Sequence, residues 1–305
     1  MKMLLALAGT RQELSSEELG ELSWYQDAPL QLAPGTRPLL LLHSVNAAGS
    51  AYEIKPLYDQ YRKVRPVYAP DLPGFGLSDR SKRPYTPRLM TDAILALVEK
   101  IRSAHAGVAI DVIALSLSCE FLARAASESP DSFRSLAFIS PTGFNRSTLR
   151  EGPTGGNLGQ GLLYSIFSAP AIGRRLFRLL TRRPVIAYFL RRTWGSPQID
   201  TGLLDYDTEI TRPPGAEHAP LRFLTGFLFS GDSGSLYRSL QHPVWVAHGV
   251  RGDFAKYAGL RALEGRPNWT VDVLPTGALP HFEMLPEFTQ RYEAWLAKVS
   301  SGPTL

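Results

Sequence analysis

The stretch VIALSLSCEF, residues 112–121, constrains the fold of this chain more than any other segment. An apolar run at 110–114 is followed directly by a turn of the form small-x-Ser-x-small and then by a helical pattern. A serine at the apex of such a turn is held in a strained backbone conformation, with its hydroxyl at the end of the sheet. Small residues two positions before and after the apex let the strand and helix approach. Ser116 meets this requirement, whereas Ser118 is followed two positions later by Glu120, so we predict Ser116 as a nucleophile.

Apolar runs alternate with helical patterns on both sides of this turn. Predicted strands lie at 37–43, 65–74, 110–114, 136–141, 243–249 and 269–275. Predicted helices lie at 51–63, 86–106, 254–263 and 287–299. Runs that are apolar on both faces suit buried parallel strands. Their alternation with helices predicts an α/β fold with a doubly wound, mostly parallel sheet, whose functional groups gather at the carboxyl ends of the strands.

The alternation stops between residues 142 and 241. This stretch has several helical patterns separated by Gly and Pro breaks, and it is too long for a plain loop. We therefore predict a core formed by 1–141 and 242–305, with a helical cap inserted at 142–241. The length of 305 residues fits one such domain with an insertion.

Composition narrows the class of protein and its location. An apolar content of 44% and a charged content of 20% are typical of a soluble globular chain, and a net charge of +5 is too small to indicate nucleic-acid binding. The single cysteine, Cys119, favours a reducing compartment, so we expect a cytoplasmic protein. The apolar run after Lys2 is shorter than the hydrophobic region of a secretory signal, and no run is long enough to span a bilayer.

A serine nucleophile needs a base to take its proton and an acid to orient that base. In a sheet of this kind both groups should follow later strands, in the order Ser, acid, His. Asp253 lies just after the strand at 243–249, and His281 follows the strand at 269–275. We predict Ser116, His281 and Asp253 as the catalytic triad.

Other histidines and acids compete for these two roles. The alternative bases are His43, His105, His218, His242 and His248. Histidines that end apolar strands more often make structural hydrogen bonds, and the others lie in a helix end, the cap or a turn. Among the acids, Asp232 has the position of a helix cap and Asp272 lies within a strand pattern.

The developing oxyanion requires two backbone N–H donors. One donor should come from Leu117, after the nucleophile, and the other from the loop after the strand at 37–43, where Val45 is the best candidate. Ser44 or Asn46 could assist, and an equally good interpretation is that they only shape a polar loop.

These motifs together resemble the α/β-hydrolase fold family. The matching segments are HSVNAAGS from residue 43, DLPGFGLSD at 71–79, ALSLS at the predicted elbow, HGVRGD before the acid and TGALPHFE around the base. The chain departs from the family pattern at three places. Ser44 stands where the family often has glycine, Ala114 and Ser118 replace the elbow glycines, and Asp253 is one residue further from its His-Gly pair than is common.

The resemblance implies a serine hydrolase that cleaves an ester or similar acyl bond of a small lipophilic substrate through an acyl-enzyme. It implies no metal or organic cofactor, and the turns lack a phosphate-binding glycine pattern. Two alternatives stay open: hydrolysis of a carbon–carbon bond or acyl transfer by the same triad, and a non-catalytic binding protein with this fold.

The predicted cap is unusually basic. Nine arginines and one acidic residue, Glu151, lie between Arg146 and Arg192. In AIGRRLFRLLTR the arginines are predicted to share one side of a helix, with Ile172, Leu176, Leu179 and Leu180 on another. Such a helix can lie on an anionic membrane, or it can place its apolar side on the pocket and its arginines in water.

Overall fold

A computed structural model describes residues 4–301, apart from the side chains of Pro170, Ala171 and Ser301. Its centre is an eight-stranded sheet in the order β1-β2-β4-β3-β5-β6-β7-β8. The strands are β1 (Thr10–Ser16), β2 (Gly20–Asp27), β3 (Leu39–Leu42), β4 (Val67–Asp71), β5 (Ile110–Leu115), β6 (Phe133–Ile139), β7 (Val244–His248) and β8 (Trp269–Val273). β1 and β2 pair antiparallel, β2 pairs antiparallel with β4, and the other pairs are parallel. The predicted α/β class with a mostly parallel sheet is confirmed.

Eleven helices are described around this sheet and in the segment between β6 and β7. They are α1 (Lys55–Tyr61), α2 (Pro87–Ala104), α3 (Ser118–Glu128), α4 (Gly161–Phe167), α5 (Pro170–Leu180), α6 (Arg183–Trp194), α7 (Thr201–Ile210), α8 (His218–Leu224), α9 (Ser233–Ser239), α10 (Pro280–Glu283) and α11 (Leu285–Ser301). Three short 3₁₀ helices lie at Ala51–Ile54, Pro130–Ser132 and Ala258–Leu263. None of the helices described within residues 4–301 is long and apolar enough to cross a membrane.

The central strands form where the sequence is apolar on both faces. All residues of β3 and all residues of β5 are buried, because helices cover both sides of the sheet. α2 begins one residue later than predicted, since Thr86 is its cap and accepts the N–H of Leu89 with its side chain. Pro87 then occupies the first turn, where a missing N–H costs nothing.

Two elements differ from the sequence predictions. The hairpin of β1 and β2 was not predicted, because β1 lies at the sheet edge, none of its residues is buried, and it therefore shows no strong apolar periodicity. The helix predicted at 254–263 is instead a 3₁₀ turn at Ala258–Leu263, and Phe254 before it is exposed.

Helices α4–α9 lie between β6 and β7, within the predicted insertion, and buried charges tie this segment to α3. The carboxylate of Glu120 accepts hydrogen bonds from the guanidinium of Arg150 at 2.7 Å and from the N–H of Ser230 at 2.8 Å. One turn later, Arg124 pairs with Asp232 at 2.6 Å, and both are nearly inaccessible. Because removing one member of a buried pair leaves an uncompensated charge, these contacts hold the segment against α3.

Candidate active site

Ser116 lies at a sharp turn between β5 and α3. Its φ of 57° is in the left-handed region, which a non-glycine residue seldom occupies. The strain is held by the backbone, since the Ser116 N–H donates to the carbonyl of Ile139 at 2.8 Å. The Ser116 hydroxyl makes no hydrogen bond to any residue of the described chain and is partly accessible. The strained turn between strand and helix agrees with the predicted elbow, and the role of Ser116 as a nucleophile stays a prediction.

Ser118 has a specific contact that a glycine at this position would lack. Its buried hydroxyl donates a short hydrogen bond to the carbonyl of His43, at the end of β3. The turn at Ser116 is therefore joined directly to the loop that was predicted to carry the second oxyanion donor.

The two predicted oxyanion donors are both present as unpaired backbone groups. Val45 and Leu117 are buried, and within residues 4–301 neither N–H has a hydrogen-bond acceptor. Nearly all buried backbone N–H groups in proteins are hydrogen-bonded, so two orphans on the loops that flank Ser116 need an explanation. An anionic oxygen that forms during a reaction would satisfy both.

Glu53, which the sequence analysis did not single out, holds the loop that carries Val45. Its buried carboxylate accepts the N–H of Ser44 at 2.7 Å and also the side-chain amide of Asn46. Asn46 donates in addition to the Ser44 hydroxyl at 2.9 Å. Burial raises the pKa of Glu53, and these donors oppose that shift. Ser44 and Asn46 therefore shape the loop, which is one of the two interpretations left open by the sequence.

His43 supports the same loop as a neutral ring. Its Nε2 accepts the N–H of Leu72 at 2.9 Å, so Nδ1 must carry the proton that is donated to the carbonyl of Ser44 at 2.5 Å. Burial lowers the pKa of His43 to about 4. Both ring nitrogens are thus occupied in a structural role.

The turn at 71–79 is closed by Asp71, whose carboxylate accepts the N–H groups of Ala51 and Leu77 at 2.8 and 2.9 Å. Gly76 has a positive φ, and a Cβ there would overlap the carboxylate of Asp71. Only glycine fits at that position. The segment DLPGFGLSD is therefore explained by the structure of the turn, and no catalytic role is needed for it.

His281, the predicted base, is fully buried on α10. Its Nε2 lies 2.7 Å from the carbonyl oxygen of Glu53, and because a carbonyl only accepts, Nε2 must carry the proton. Its Nδ1 is then a buried acceptor that has no partner in the described part of the chain. Burial lowers the pKa of His281 to about 4, so the ring is neutral at pH 7.

Asp253, the predicted acid, is bound elsewhere. Its carboxylate makes a two-point contact with the guanidinium of Arg192, on α6, with one bond at 2.8 Å. Its N–H donates to the carbonyl of the same arginine at 3.1 Å. The carboxylate is about two-fifths exposed, with a side-chain accessibility of 42%.

The end of α6 contacts both the acid loop and the base loop. The carbonyl of Thr193 accepts the N–H of Ala278 at 2.9 Å, and the buried ring of Trp194 packs edge-on against Phe282 at 5.6 Å. On the other side, Gly252 lies so close to the carbonyl of Arg192 that a Cβ would meet it at 2.4 Å. The structure brings Ser116 together with Val45 and Leu117 on adjoining loops, but no hydrogen bond joins Ser116, His281 and Asp253.

The competing histidines and acids do not complete the set either. His248 donates from Nδ1 to the carbonyl of Gly249 at 2.9 Å, in agreement with a structural role. His105, His218 and His242 contact Tyr68, the carbonyl of Arg80 and the carbonyl of Pro130. Asp232 binds Arg124 and Asp272 accepts the indole N–H of Trp245, so neither acid bonds to a histidine.

Asp207 is a second acidic residue that the sequence analysis missed. It lies on α7, nearly inaccessible, and its Oδ1 has no hydrogen-bond partner within the described residues. Burial, followed by the nearby carboxylates of Glu53 and Asp200, raises its pKa well above the usual value. Tyr206 beside it stacks on Tyr52 at 5.1 Å, which packs α7 on the 3₁₀ helix that carries Glu53. The only sequence signals were the acid within the apolar segment AYEI and the helical spacing that Asp207 shares with Leu203 and Ile210.

Comparison with known proteins supports the fold. The sequence model of the alpha/beta hydrolase fold matches residues 37–160. A search of curated proteins found no match. Among solved structures, a putative lipase from Acinetobacter baumannii AYE is similar, with 20% identity over 96% of this chain and 92% of that chain and a TM-score of 0.70.

Two further solved structures are similar at the same level. A thermophilic esterase from Thermogutta terrifontis has 19% identity over 95% of this chain and 99% of that chain, with a TM-score of 0.69. A meta-cleavage product hydrolase from Pseudomonas fluorescens IP01 has 14% identity over 93% and 99% of the two chains, with a TM-score of 0.66. The strand order, the turn at Ser116 and the matched residues show that this chain has the α/β-hydrolase fold.

Proposed function

We propose that the protein is a serine hydrolase that cleaves an acyl bond of a small lipophilic compound. One observation carries the proposal. Ser116 has a strained backbone and an unpaired hydroxyl, and the buried backbone N–H groups of Val45 and Leu117 beside it have no acceptors. In the reaction, the Ser116 oxygen attacks the carbonyl carbon, and the two N–H groups stabilise the negative charge on the carbonyl oxygen. A base takes the Ser116 proton during the attack and gives it to the departing alcohol. Water then attacks the acyl-enzyme and gives one proton to the base, and the acid is released as that proton returns to the Ser116 oxygen.

The proton step requires a change in the acid and base loops. A base must present a bare Nε2 to Ser116 and donate Nδ1–H to an acid, which is the opposite tautomer to that of His281 here. A pKa of about 4 is also too low for efficient proton transfer at neutral pH. We propose that Asp253 exchanges Arg192 for the Nδ1–H of His281 when the active arrangement forms, because a neighbouring carboxylate raises the pKa of a histidine.

Carbon–carbon bond hydrolysis and acyl transfer remain within this proposal, since both use the same nucleophile and oxyanion donors. The names of the similar structures, a lipase, an esterase and a meta-cleavage product hydrolase, support hydrolysis as the general class.

A second candidate is a binding protein that keeps the fold without catalysis. It is favoured by one observation: the predicted base and acid are each satisfied by other partners, Glu53 and Arg192. This candidate predicts a folded protein whose Ser116 does not react.

Labelling with a fluorophosphonate probe separates the two candidates. Wild type should label and should hydrolyse p-nitrophenyl acetate or octanoate, while Ser116→Ala should do neither and stay folded, because its hydroxyl makes no bond in the described chain. His281→Ala should also lose labelling, whereas the matched variant His242→Ala, whose ring bonds to the carbonyl of Pro130 and packs on Phe133, should keep it. A folded wild type that neither labels nor turns over either ester would favour the binding protein. Labelling that persists in His281→Ala would remove His281 from the mechanism.

A further inference from the structure

The cap exposes an apolar helix that the proposed reaction does not use. α4 has the sequence GLLYSIF, and none of its residues is buried. Leu162 is 80% exposed, and Ile166, one turn later on the same face, is 48% exposed. Single exposed leucines are ordinary, but a helix of this composition normally buries one face. The outer face of α4 is therefore an unpartnered apolar surface.

α5 packs on α4 and exposes basic groups and more apolar groups. The predicted separation of α5 into an apolar and a basic side is wrong in part, because Ile172 and Leu179 are 47% and 49% exposed. The helix instead packs inward through Gly173, where a Cβ would meet the carbonyl of Phe167, and through Phe177.

The outward face of α5 places arginines directly beside these two aliphatic side chains. Arg175 and Arg178 are exposed, and their guanidinium groups make no ion pair or hydrogen bond within the described residues. By helical spacing, Arg175 lies between Ile172 and Leu179 on the same stripe. Apolar and cationic groups thus share one face.

A cavity beside α5 extends the basic region. It measures about 590 Å³, and one carboxylate, that of Glu217, lines it. The arginines that line it are Arg174, Arg178, Arg182, Arg183 and Arg212. Arg174, Arg183 and Arg212 pair with acidic residues, whereas Arg178 and Arg182 have no partner among residues 4–301. Unpaired guanidinium groups in a cavity suit phosphate oxygens.

Charge decides between a second copy of the chain and an anionic partner. A symmetric dimer through this surface would bring the same patch of both chains together and would place the arginines of one copy against those of the other. An anionic lipid surface offers phosphates to the arginines and an acyl boundary to the leucines and isoleucines.

We propose that the outer face of α4 and α5 binds peripherally to an anionic phospholipid bilayer, with Leu162 and Ile166 inserted at the acyl boundary and Arg175, Arg178 and Arg182 on lipid phosphates. Binding depends on both kinds of group. Each arginine near such a surface contributes about fivefold in affinity, and the aliphatic side chains contribute through the apolar area that they bury. None of these five residues belongs to the proposed catalytic set, so the proposal stands whether or not the protein is an enzyme.

Co-sedimentation of the full chain with vesicles tests this. We expect binding to vesicles of phosphatidylcholine with phosphatidylglycerol, weak binding to phosphatidylcholine alone, and a loss of binding as salt is raised. Arg175→Glu with Arg178→Glu should reduce binding by about a hundredfold or more, since each reversal also adds repulsion. Leu162→Glu should reduce it as well without unfolding, because α4 buries no side chain.

Two matched variants serve as controls. Arg261→Glu reverses an exposed arginine outside the cap, and Leu30→Glu changes a leucine that is 106% exposed; both should bind as wild type does. Circular dichroism should show that each variant is folded before its binding is measured. Equal binding to both vesicle types, or no binding by folded wild type, overturns the proposal. So does a dimer in sedimentation velocity that Leu162→Glu converts to a monomer, because the partner is then a second copy.

Discussion

The nucleophile side of the candidate site and its acid–base side differ in how far they are assembled. On the first side, Ser116 is strained and unpaired, and the N–H groups of Val45 and Leu117 are ready to receive an acceptor. On the second side, His281 and Asp253 are bound to Glu53 and Arg192 rather than to each other. The turn at Ser116 and the loop after β3 already have the arrangement that the proposed reaction needs. The acid and the base come from two segments later in the chain, and they are not yet hydrogen-bonded to each other.

The two sides also use their buried histidines in opposite tautomers. His43 carries its proton on Nδ1 and is fully hydrogen-bonded, whereas His281 carries it on Nε2 and leaves Nδ1 without a partner. An unpaired buried acceptor costs about 1–3 kcal/mol of folding free energy. A new hydrogen bond at Nδ1 of His281 would recover this cost. Glu53 joins the sides, because its carboxylate holds the Val45 loop and its carbonyl holds His281.

The largest expected effect comes from removing the charge of the acid. Asp253→Asn should lower turnover by about a thousandfold or more, because an amide cannot stabilise the protonated imidazole. Its stability should change little, since the pair with Arg192 is exposed. Ester hydrolysis and thermal unfolding check both statements. The matched variant Asp205→Asn, which breaks the exposed pair with Arg183, should keep full activity. Equal rates in the two variants would remove Asp253 from the proposed triad.

Acid should destabilise both sides through their histidines. The pKa of His43 and that of His281 are each lowered from 6.5 to about 4 by burial. Above pH 6.5 both rings are neutral in the folded and unfolded states; as the pH falls toward 4, only the unfolded state gains the protons. Each histidine should then cost about 3 kcal/mol of unfolding free energy. Urea unfolding at several pH values measures this.

His281→Gln measures how much of the acid-induced loss of unfolding free energy comes from His281. Its amide N–H can still donate to the carbonyl of Glu53, but it does not titrate, so we expect the acid-induced loss to shrink by about 3 kcal/mol. A pH dependence unchanged from wild type would show that burial of His281 does not lower its pKa as described.

Asp207 lies next to the junction of the two sides, and its replacement should stabilise the protein. Asp207→Asn removes a buried carboxyl whose pKa is raised by burial and by Glu53. Because the unfolded carboxyl ionises first as the pH rises through 3.8, wild type loses stability with rising pH and the variant does not. We expect a gain of about 1 kcal/mol at pH 7 that shrinks toward pH 4. Asp205→Asn, at an exposed neighbouring position, should show no such gain in parallel thermal melts.

The smallest expected effect comes from breaking the Arg192–Asp253 pair, and it tests directly whether this pair keeps the acid away from the base. Arg192→Gln removes the partner that holds Asp253 against α6, so labelling of Ser116 should become severalfold faster. Arg183→Gln breaks another exposed arginine–aspartate pair in the same segment and should leave the rate unchanged. A slower rate in Arg192→Gln would mean that this pair supports the active arrangement rather than opposing it.

The sequence predicted the elements that depend on local pattern. The buried strands β3 and β5, the turn at Ser116 and the long helix α2 follow from apolar runs, small residues and amphipathic spacing, although the cap at Thr86 was not predicted. The hairpin of β1 and β2 escaped prediction because an edge strand buries little.

The contacts of the candidate site were less predictable, because they join residues far apart in the chain. Nothing in HGVRGDF indicates that Arg192, from another helix, binds Asp253. Likewise, the pairing of His281 with the carbonyl of Glu53 spans 228 residues and involves a backbone atom, which leaves no trace in residue type. Spacing and chain order could suggest the triad but could not show which partners the side chains take.

The tautomer of His281 tests the central difference between the two sides most directly. Nitrogen-15 NMR of the imidazole rings, recorded on the free protein at neutral pH, distinguishes a proton on Nε2 from one on Nδ1. The structure predicts Nε2–H for His281 and Nδ1–H for His43, with a change in His281 alone after Ser116 is labelled. Nδ1–H at His281 in the free protein would contradict it, because the acid and base would already be joined.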